Sequence, residues 1–360
     1  MKRILIAIHT LSFDGAEKVA AMWANYLSKE GHQVAFLVHN RLEKEQKLDN
    51  RIAVLSIADT VEDYRALSVW QRLIVTRKTV KAFAPDIIIS LLPRMQILVM
   101  LATLGIKCKR IETIRNNPWT DTDIGKKRAL WNCCFFRSDR IIVQTEEQLE
   151  YFSRRERKKC VVIRNPILCE PEQKQYHKDF LQRFIALGRV NEQKNYQLMI
   201  RAFACAAKDK EDITLDIFGT GPIAHMEWIQ SQINAAGLDG RVTLRGRTDK
   251  VSEELMSHDA FLMSSDYEGM PNALAEAMAT GLVCLSTDCK TGPKDMIDSG
   301  VNGYLATTGS EESFEEGIRK IMQMDLAQCT AMGAAAREKI LTMCSEENTL
   351  VRLNQLIEEM

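Results

Sequence analysis

Two continuous apolar runs open the chain, Ile4–Ile8 and Val34–Val38, and they limit what it can fold into. A run with no polar alternation is buried on both faces, which is the mark of a central strand in a parallel sheet. Between them lies a loop, Thr10–Gly15. It is followed by Ala16, Val19, Ala20, Trp23, Tyr26 and Leu27 at helical spacing, with Gly31 as a stop signal. This strand–loop–helix–strand unit begins a doubly wound α/β sheet. The pattern continues with strands at Ile52–Leu55, Asp86–Leu91, Arg110–Ile114, Arg140–Val143 and Val161–Ile163. A long helix is predicted over Tyr64–Phe83 and another over Ile124–Arg137.

A second alternating series starts at Phe184–Leu187 and continues at Thr214–Phe218, Arg241–Leu244, Ala260–Met263 and Val283–Ser286. At 360 residues, against roughly 100–200 per domain, two domains are expected. The predicted division is an N-terminal Rossmann-like domain over 1–165, a linker over 166–180, a C-terminal Rossmann-like domain over 181–344 and a terminal helix over 345–360. The two domains are expected to face each other across a cleft.

A net charge of zero conceals an asymmetry. Residues 1–165 hold 29 Lys and Arg against 18 Asp and Glu, and the rest of the chain reverses the balance with 19 against 30. The basic half is expected to face an anion: a phosphate, a membrane surface or nucleic acid. Nucleic acid fits the charge as well, but the sequence shows no recognition module for it, so no nucleic-acid partner is expected. The ten Cys form no CxxC pair and read as reduced cysteines of a core. The six His are scattered without ligand spacing, so no metal is expected.

The apolar stretch from Asp86 to Lys107 carries Arg94 near its middle. A central Arg costs about 2.5–3.5 kcal/mol on insertion scales, so the stretch reads as a strand and a helix rather than a membrane span. Met1–Ile8 has too short an apolar core for a signal peptide. A cytoplasmic protein, peripheral on the inner face of the cell membrane, is the expectation. Membrane contact would run through Arg72 and Lys78 on one helix and Lys127, Arg128 and Trp131 on another, where basic residues accompany aromatics.

The densest chemical signal is Ser264-Ser265-Asp266-Tyr267-Glu268-Gly269-Met270-Pro271-Asn272, followed by Glu276. A strand ends, a Gly-Met-Pro turn follows and a helix opens at Pro271 or Asn272. A helix N-terminus favours phosphate. Glu268 in the turn would accept bonds from sugar hydroxyls, and Glu276 would hold a ribose. The second signal is Gly188-Arg189 through Lys194-Asn195, directly after a strand: two cations at a carboxyl end suit a diphosphate. The third, Asp14-Gly15-Ala16-Glu17, permits close backbone approach after the first strand.

Two patterns compete with these. Gly219-x-Gly221 matches part of a dinucleotide fingerprint, but the next strand ends without an acid for the ribose. Asp121-Thr122-Asp123 has the form of a metal-binding DxD, though its place before a helix suits capping.

Gly15-Ala16-Glu17, Gly188-Arg189 with Lys194-Asn195, Gly219-Thr220-Gly221 and Glu268 with Glu276 stand in the order found in the glycogen-synthase-like retaining glycosyltransferases (glycosyl transferases group 1, family four), and the chain resembles that family throughout. The resemblance implies a GT-B fold, a UDP-sugar donor bound mainly by the second domain, and metal-independent transfer with retention. By position, Arg189 and Lys194 would bind the diphosphate, Glu276 the ribose, and Glu268 with Gly269, Met270, Pro271 and Asn272 the donor sugar. Gly15 would approach the phosphates, and Gly246-Arg247 would lie near the base. Where many members carry a His, this chain has Arg115, followed by Asn116, as candidates on the acceptor side.

The expected reaction moves a hexose or N-acetylhexosamine to a lipid-linked saccharide or glycolipid, in lipopolysaccharide or capsule synthesis. No cofactor is expected beyond the donor substrate. A nucleotide-sugar epimerase of the same fold, a non-catalytic assembly scaffold and a nicotinamide dehydrogenase are the alternatives.

Overall fold

The computed structural model describes residues 1–120, 125–167, 171–177 and 181–360. It divides into two compact units, Met1–Pro166 with Glu346–Met360, and Ile167–Ser345.

The first unit is built on β1 (Arg3–Ala7), β2 (Gln33–Val38), β3 (Ala53–Ser56), β4 (Ile87–Ser90), β5 (Lys109–Thr113), β6 (Arg140–Val143) and β7 (Cys160–Val162). These form one sheet in the order β3-β2-β1-β4-β5-β6-β7. Every pairing is parallel. Ile4, Leu5, Ile6 and Ala7 are fully buried, as their unbroken apolar run requires.

The second unit holds β8 (Arg183–Leu187), β9 (Thr214–Phe218), β10 (Val242–Gly246), β11 (Ala260–Met263), β12 (Val283–Thr287) and β13 (Tyr304–Ala306). Its order is β10-β9-β8-β11-β12-β13, again all parallel. In each sheet the order reverses beside the first strand, between β1 and β4 and between β8 and β11. Sheets of this class hold ligands at such switch points, beyond the carboxyl ends.

Several expectations change. The single helix over Tyr64–Phe83 is two, Val61–Ala66 and Val69–Phe83, because Ser68 forms a capping box with Gln71 and starts a new helix. The described part of the helix over 124–137 is a 3₁₀ turn, Gly125–Lys127, then Arg128–Arg137. β13 went unread, since three residues after a glycine turn carry too little pattern.

Within the stretch expected as a linker, the described residues 171–177 include one that packs into a domain core. Tyr176 sits in the core of the second unit, and its hydroxyl donates to the carbonyls of Asp259 and Gly281 at 3.2 Å and accepts from the Val283 amide at 2.9 Å. The terminal segment returns to the first unit, where Leu350, Leu353, Leu356 and Ile357 pack with Ile4, Ile6 and Trp23. Nine cysteines lie among the described residues, all free, and Cys133 and Cys205 are exposed rather than in the core. The apolar stretch after Asp86 is β4 and a helix, Pro93–Ala102. No helix of the described residues is long and apolar enough to cross a membrane.

Candidate active site

In the second unit, the chain leaves β8 at Gly188, whose φ of +154° and crowding against the Lys194 side chain favour glycine. Arg189 follows, exposed. Asn191 caps a 3₁₀ turn, Glu192–Lys194. Asn195, in the left-handed region at φ +44°, caps the helix Tyr196–Ala206 through its side chain. Two successive caps therefore fix the loop that carries Lys194.

Glu268 stands opposite, in the turn after β11. Lys194 Nζ lies 2.6 Å from Glu268 Oε1, with the side chains 14% and 9% exposed. Ser265 Oγ donates to the same Oε1 at 2.7 Å. The ammonium has three N–H donors and spends one here, leaving two for an anion. Gln193 Nε2 donates to the Tyr267 carbonyl at 2.9 Å, and Asn195 Nδ2 to Asp266 at 2.8 Å, so the two loops are stitched together. Thr291 Oγ1 donates to the carbonyls of Glu268 and Gly269, at 3.1 and 3.0 Å. The sequence assigns no role to Ser265, Gln193 or Thr291. Gln193 and Thr291 act through contacts 22 to 74 residues away along the chain, which no local pattern records, whereas Ser265 lies only three residues from Glu268.

Gly269, Met270 and Pro271 are buried, and Pro271 leads into the helix Asn272–Ala279 with no side-chain cap. The N-terminus of that helix is a site of partial positive charge. Asn272 and Glu276 lie four residues apart and so share a helix face, and both are half-buried.

Gly219 and Gly221 have a packing role. A Cβ at Gly219 would strike the carbonyl of Gly188, and one at Gly221 that of Val190. The Gly188 amide donates to Phe218 at 3.0 Å and the Val190 amide to Thr220 at 2.9 Å. The pair lets the loops after β8 and β9 lie backbone to backbone. Gly246 ends β10, and its carbonyl accepts from the Gly219 amide at 2.8 Å; Arg247 beside it is exposed. The structure thus brings together Gly188, Arg189, Lys194, Asn195, Gly219, Gly246 and the segment from Glu268 to Glu276 at the carboxyl end of one sheet.

The other candidates belong to the first unit. Gly15 opens the helix Gly15–Lys29 after β1 and is exposed. Arg115 follows β5. Its guanidinium stacks on Trp23 at 4.2 Å and donates through Nη1 to Asn165 Oδ1 at 2.9 Å, while Nε and Nη2 are buried without a partner. Burial pulls Arg115 down to about 9, still protonated at neutral pH. Asn116 turns inward, accepting from the Asn117 amide through Oδ1 at 2.8 Å and from Gln148 through its carbonyl at 3.2 Å.

The membrane candidates divide. Trp131 is a core residue, 2% exposed, with its indole N–H donating to buried Gln96. Arg128 is consumed by the carbonyls of Pro118 and Trp119, at 2.6 and 3.0 Å. Arg72 stacks on Tyr64 at 4.3 Å and donates to its carbonyl at 2.9 Å. Only Lys78 and Lys127 are exposed. Asp121 and Asp123 lie outside the described residues. Among the described residues no three His, Cys, Asp or Glu side chains converge as metal ligands.

Each unit carries a parallel Rossmann-like sheet, and basic and acidic groups meet on the loops beyond the second. The family described as Glycosyltransferase Family 4 matches residues 13–170, and Glycosyl transferases group 1 matches 182–324. The chain belongs to this family of group 1, GT-B glycosyltransferases.

Among relatives, an uncharacterized glycosyltransferase of Methanocaldococcus jannaschii is 30% identical over 62% of this chain and 61% of its own length. The match therefore spans less than two thirds of that relative. The Campylobacter jejuni GalNAc-alpha-(1->4)-GalNAc-alpha-(1->3)-diNAcBac-PP-undecaprenol alpha-1,4-N-acetyl-D-galactosaminyltransferase is 24% identical over 89% of both chains. Among solved structures, a point mutant of S. aureus TarM in complex with Fondaparinux, alpha-GlcNAc-glycerol and UDP superposes with a TM-score of 0.81 at 15% identity, covering 99% of each chain. Relatives of this chain thus include enzymes of envelope polysaccharide synthesis.

Proposed function

We propose that this chain is a retaining, metal-independent glycosyltransferase that moves a hexose or N-acetylhexosamine from a UDP-sugar to a lipid-linked saccharide or glycolipid. The observation that carries the proposal is the Lys194–Glu268 pair, held at 2.6 Å between two cross-linked loops, with Arg189 exposed beside it. That TarM was crystallised with UDP supports the choice of nucleotide. That the Campylobacter relative is named for a PP-undecaprenol acceptor supports the lipid-linked class.

In the proposed reaction, the bond between the anomeric carbon and the β-phosphate oxygen breaks. Arg189 and the two remaining N–H donors of Lys194 stabilise the charge gathering on UDP. The acceptor hydroxyl oxygen bonds to the same face of the anomeric carbon, and its proton passes to the departing phosphate oxygen. No side-chain base is needed, and Arg115 does not serve as one at neutral pH. Charge stabilisation of this kind is a large term, since loss of one donor typically costs about 10²–10³ in rate. Glu276, on the helix face it shares with Asn272, would hold the ribose.

For the membrane, the exposed stripe Trp70, Ile74, Lys78 and Lys81 on the helix Val69–Phe83 replaces the broader set. Its spacing of four, four and three residues keeps the aromatic, aliphatic and cationic groups on one side, which suits the inner, anionic leaflet.

The test is thermal stability against UDP, UDP-sugars and NAD, in buffer containing a chelator. A ligand at 100 times its Kd stabilises by about 2.7 kcal/mol, which is a shift of several degrees. A shift with UDP and one UDP-sugar is expected. A shift with NAD alone, or a UDP response abolished by the chelator, contradicts the reading.

A further inference from the structure

In the first unit a cavity of about 430 Å³ opens beside the loops that follow β5 and β6. No role assigned above uses it. Trp119 and Tyr151 form its aromatic wall, meeting edge to face with ring centroids 5.5 Å apart, and Phe152 backs Tyr151 at 5.4 Å. Both Trp119 and Tyr151 are half-buried and line the cavity.

The polar groups are few and fixed. The Tyr151 hydroxyl donates to Asn132 Oδ1 at 2.8 Å, which leaves the amide NH₂ of Asn132 as a donor. Glu156 accepts from Ser153 through Oε2 at 2.7 Å, which leaves Oε1 as an acceptor. Arg128 holds the Trp119 loop by its carbonyls, donates to the Tyr151 hydroxyl at 3.4 Å and gives the lining a positive charge beside the carboxylate of Glu156 in the same lining.

This lining selects among ligands. A phosphate would meet the Glu156 carboxylate, and a quaternary ammonium would meet the Arg128 guanidinium. A hydrocarbon chain would strip water from both ions and from the Asn132 amide without replacing its hydrogen bonds, leaving each group buried and unpaired. A neutral ring with one apolar face and hydroxyls at its rim satisfies the whole set. Its C–H face lies on Trp119 and Tyr151, and its hydroxyls accept from Asn132 and donate to Glu156. The volume is within the range of small-molecule sites.

We infer that this cavity is a saccharide subsite that binds one pyranose unit of the acceptor glycan. The inference rests on the glycosyltransferase reading only in taking the occupant to be part of the acceptor. It places acceptor recognition on Trp119, Tyr151, Asn132 and Glu156.

The full chain is titrated with methyl α-D-galactopyranoside, methyl N-acetyl-α-D-glucosaminide and maltose. Binding is followed by saturation-transfer NMR and tryptophan fluorescence, with UDP, inorganic phosphate and choline titrated in parallel. Saturable binding of at least one saccharide is expected, weakened roughly tenfold or more in Trp119→Ala and partly restored in Trp119→Phe. Glu156→Gln, which keeps an acceptor for the Ser153 capping box, reads the same subsite if the Trp119 variant fails to fold, and is also expected to weaken saccharide binding.

The inference is overturned if no saccharide saturates, if the variants bind undiminished, or if phosphate or choline binds in place of sugar. With UDP binding retained, that failure concerns the subsite alone. Loss of the UDP response as well removes the UDP-sugar transferase reading.

Discussion

The two sheets share a strand order but treat their carboxyl-end loops in opposite ways. Beyond β8 and β11, the polar groups of the candidate donor site answer one another: Lys194 with Glu268, Ser265 with Glu268, Asn195 with Asp266, Thr291 with the turn carbonyls. Toward the carboxyl ends of β4 and β5, Ser90 Oγ, both carboxylate oxygens of Glu112, Thr113 Oγ1 and two nitrogens of Arg115 are buried without partners. A satisfied network is rigid, and an unsatisfied one is costly. The candidate site of the second unit is thus held by its own side chains, whereas the first unit carries a cluster of buried polar atoms that its described residues leave without partners.

The largest expected effect is catalytic. Lys194→Ala should cut sugar transfer by about 10²–10³, measured as UDP release under saturating donor. The variant should also melt earlier, since Glu268 loses its counter-ion, yet stay folded. Transfer near the wild-type rate would break the comparison at its stronger side.

Next comes packing. Gly219→Ala should destabilise the chain by at least about 2 kcal/mol in urea unfolding, because the new Cβ meets the Gly188 carbonyl. Gly240→Ala, at a positive φ with open space around it, should cost less. Equal losses would show that the loops after β8 and β9 are not in backbone contact.

A smaller effect belongs to the first unit. Glu112 projects onto the apolar face of Trp131, Cys134 and Ile141, and burial raises its carboxyl well above the ordinary value of 4.5. A raised native value stabilises the fold below the unfolded value and is lost as pH climbs through the native one. Glu112→Gln should therefore gain on the wild type as pH rises above the ordinary carboxyl value of 4.5, by roughly 1 kcal/mol or more. A gap independent of pH would show that the Glu112 carboxyl is already paired. Smallest of all, Ser68→Ala removes the capping box that divides the two helices and should cost about 1 kcal/mol.

How legible these regions are in the sequence follows the same division. Strands such as Ile4–Ile8 announce themselves because burial on both faces leaves an unbroken apolar run. The donor loops are legible because glycine, cations and carboxylates sit at short spacing directly after strands. Trp131 reads as an interfacial aromatic beside basic residues, yet it is core, because its partner Gln96 lies 35 residues away. Arg72 and Arg128 look like free charges and are spent on aromatic faces and carbonyls. The break at Ser68 was legible in principle, as a Ser–Gln box inside an apolar periodicity. The return of Leu350–Ile357 to the first unit was not, since nothing local tells a helix which of two cores it joins.

The most direct test of the account is calorimetric titration of UDP into the wild type and into Lys194→Ala, with chelator present. The account predicts saturable binding to the wild type and binding weakened at least about tenfold in the variant. Equal affinity in the two proteins would contradict the assignment of the Gly188–Asn195 loop to the donor diphosphate.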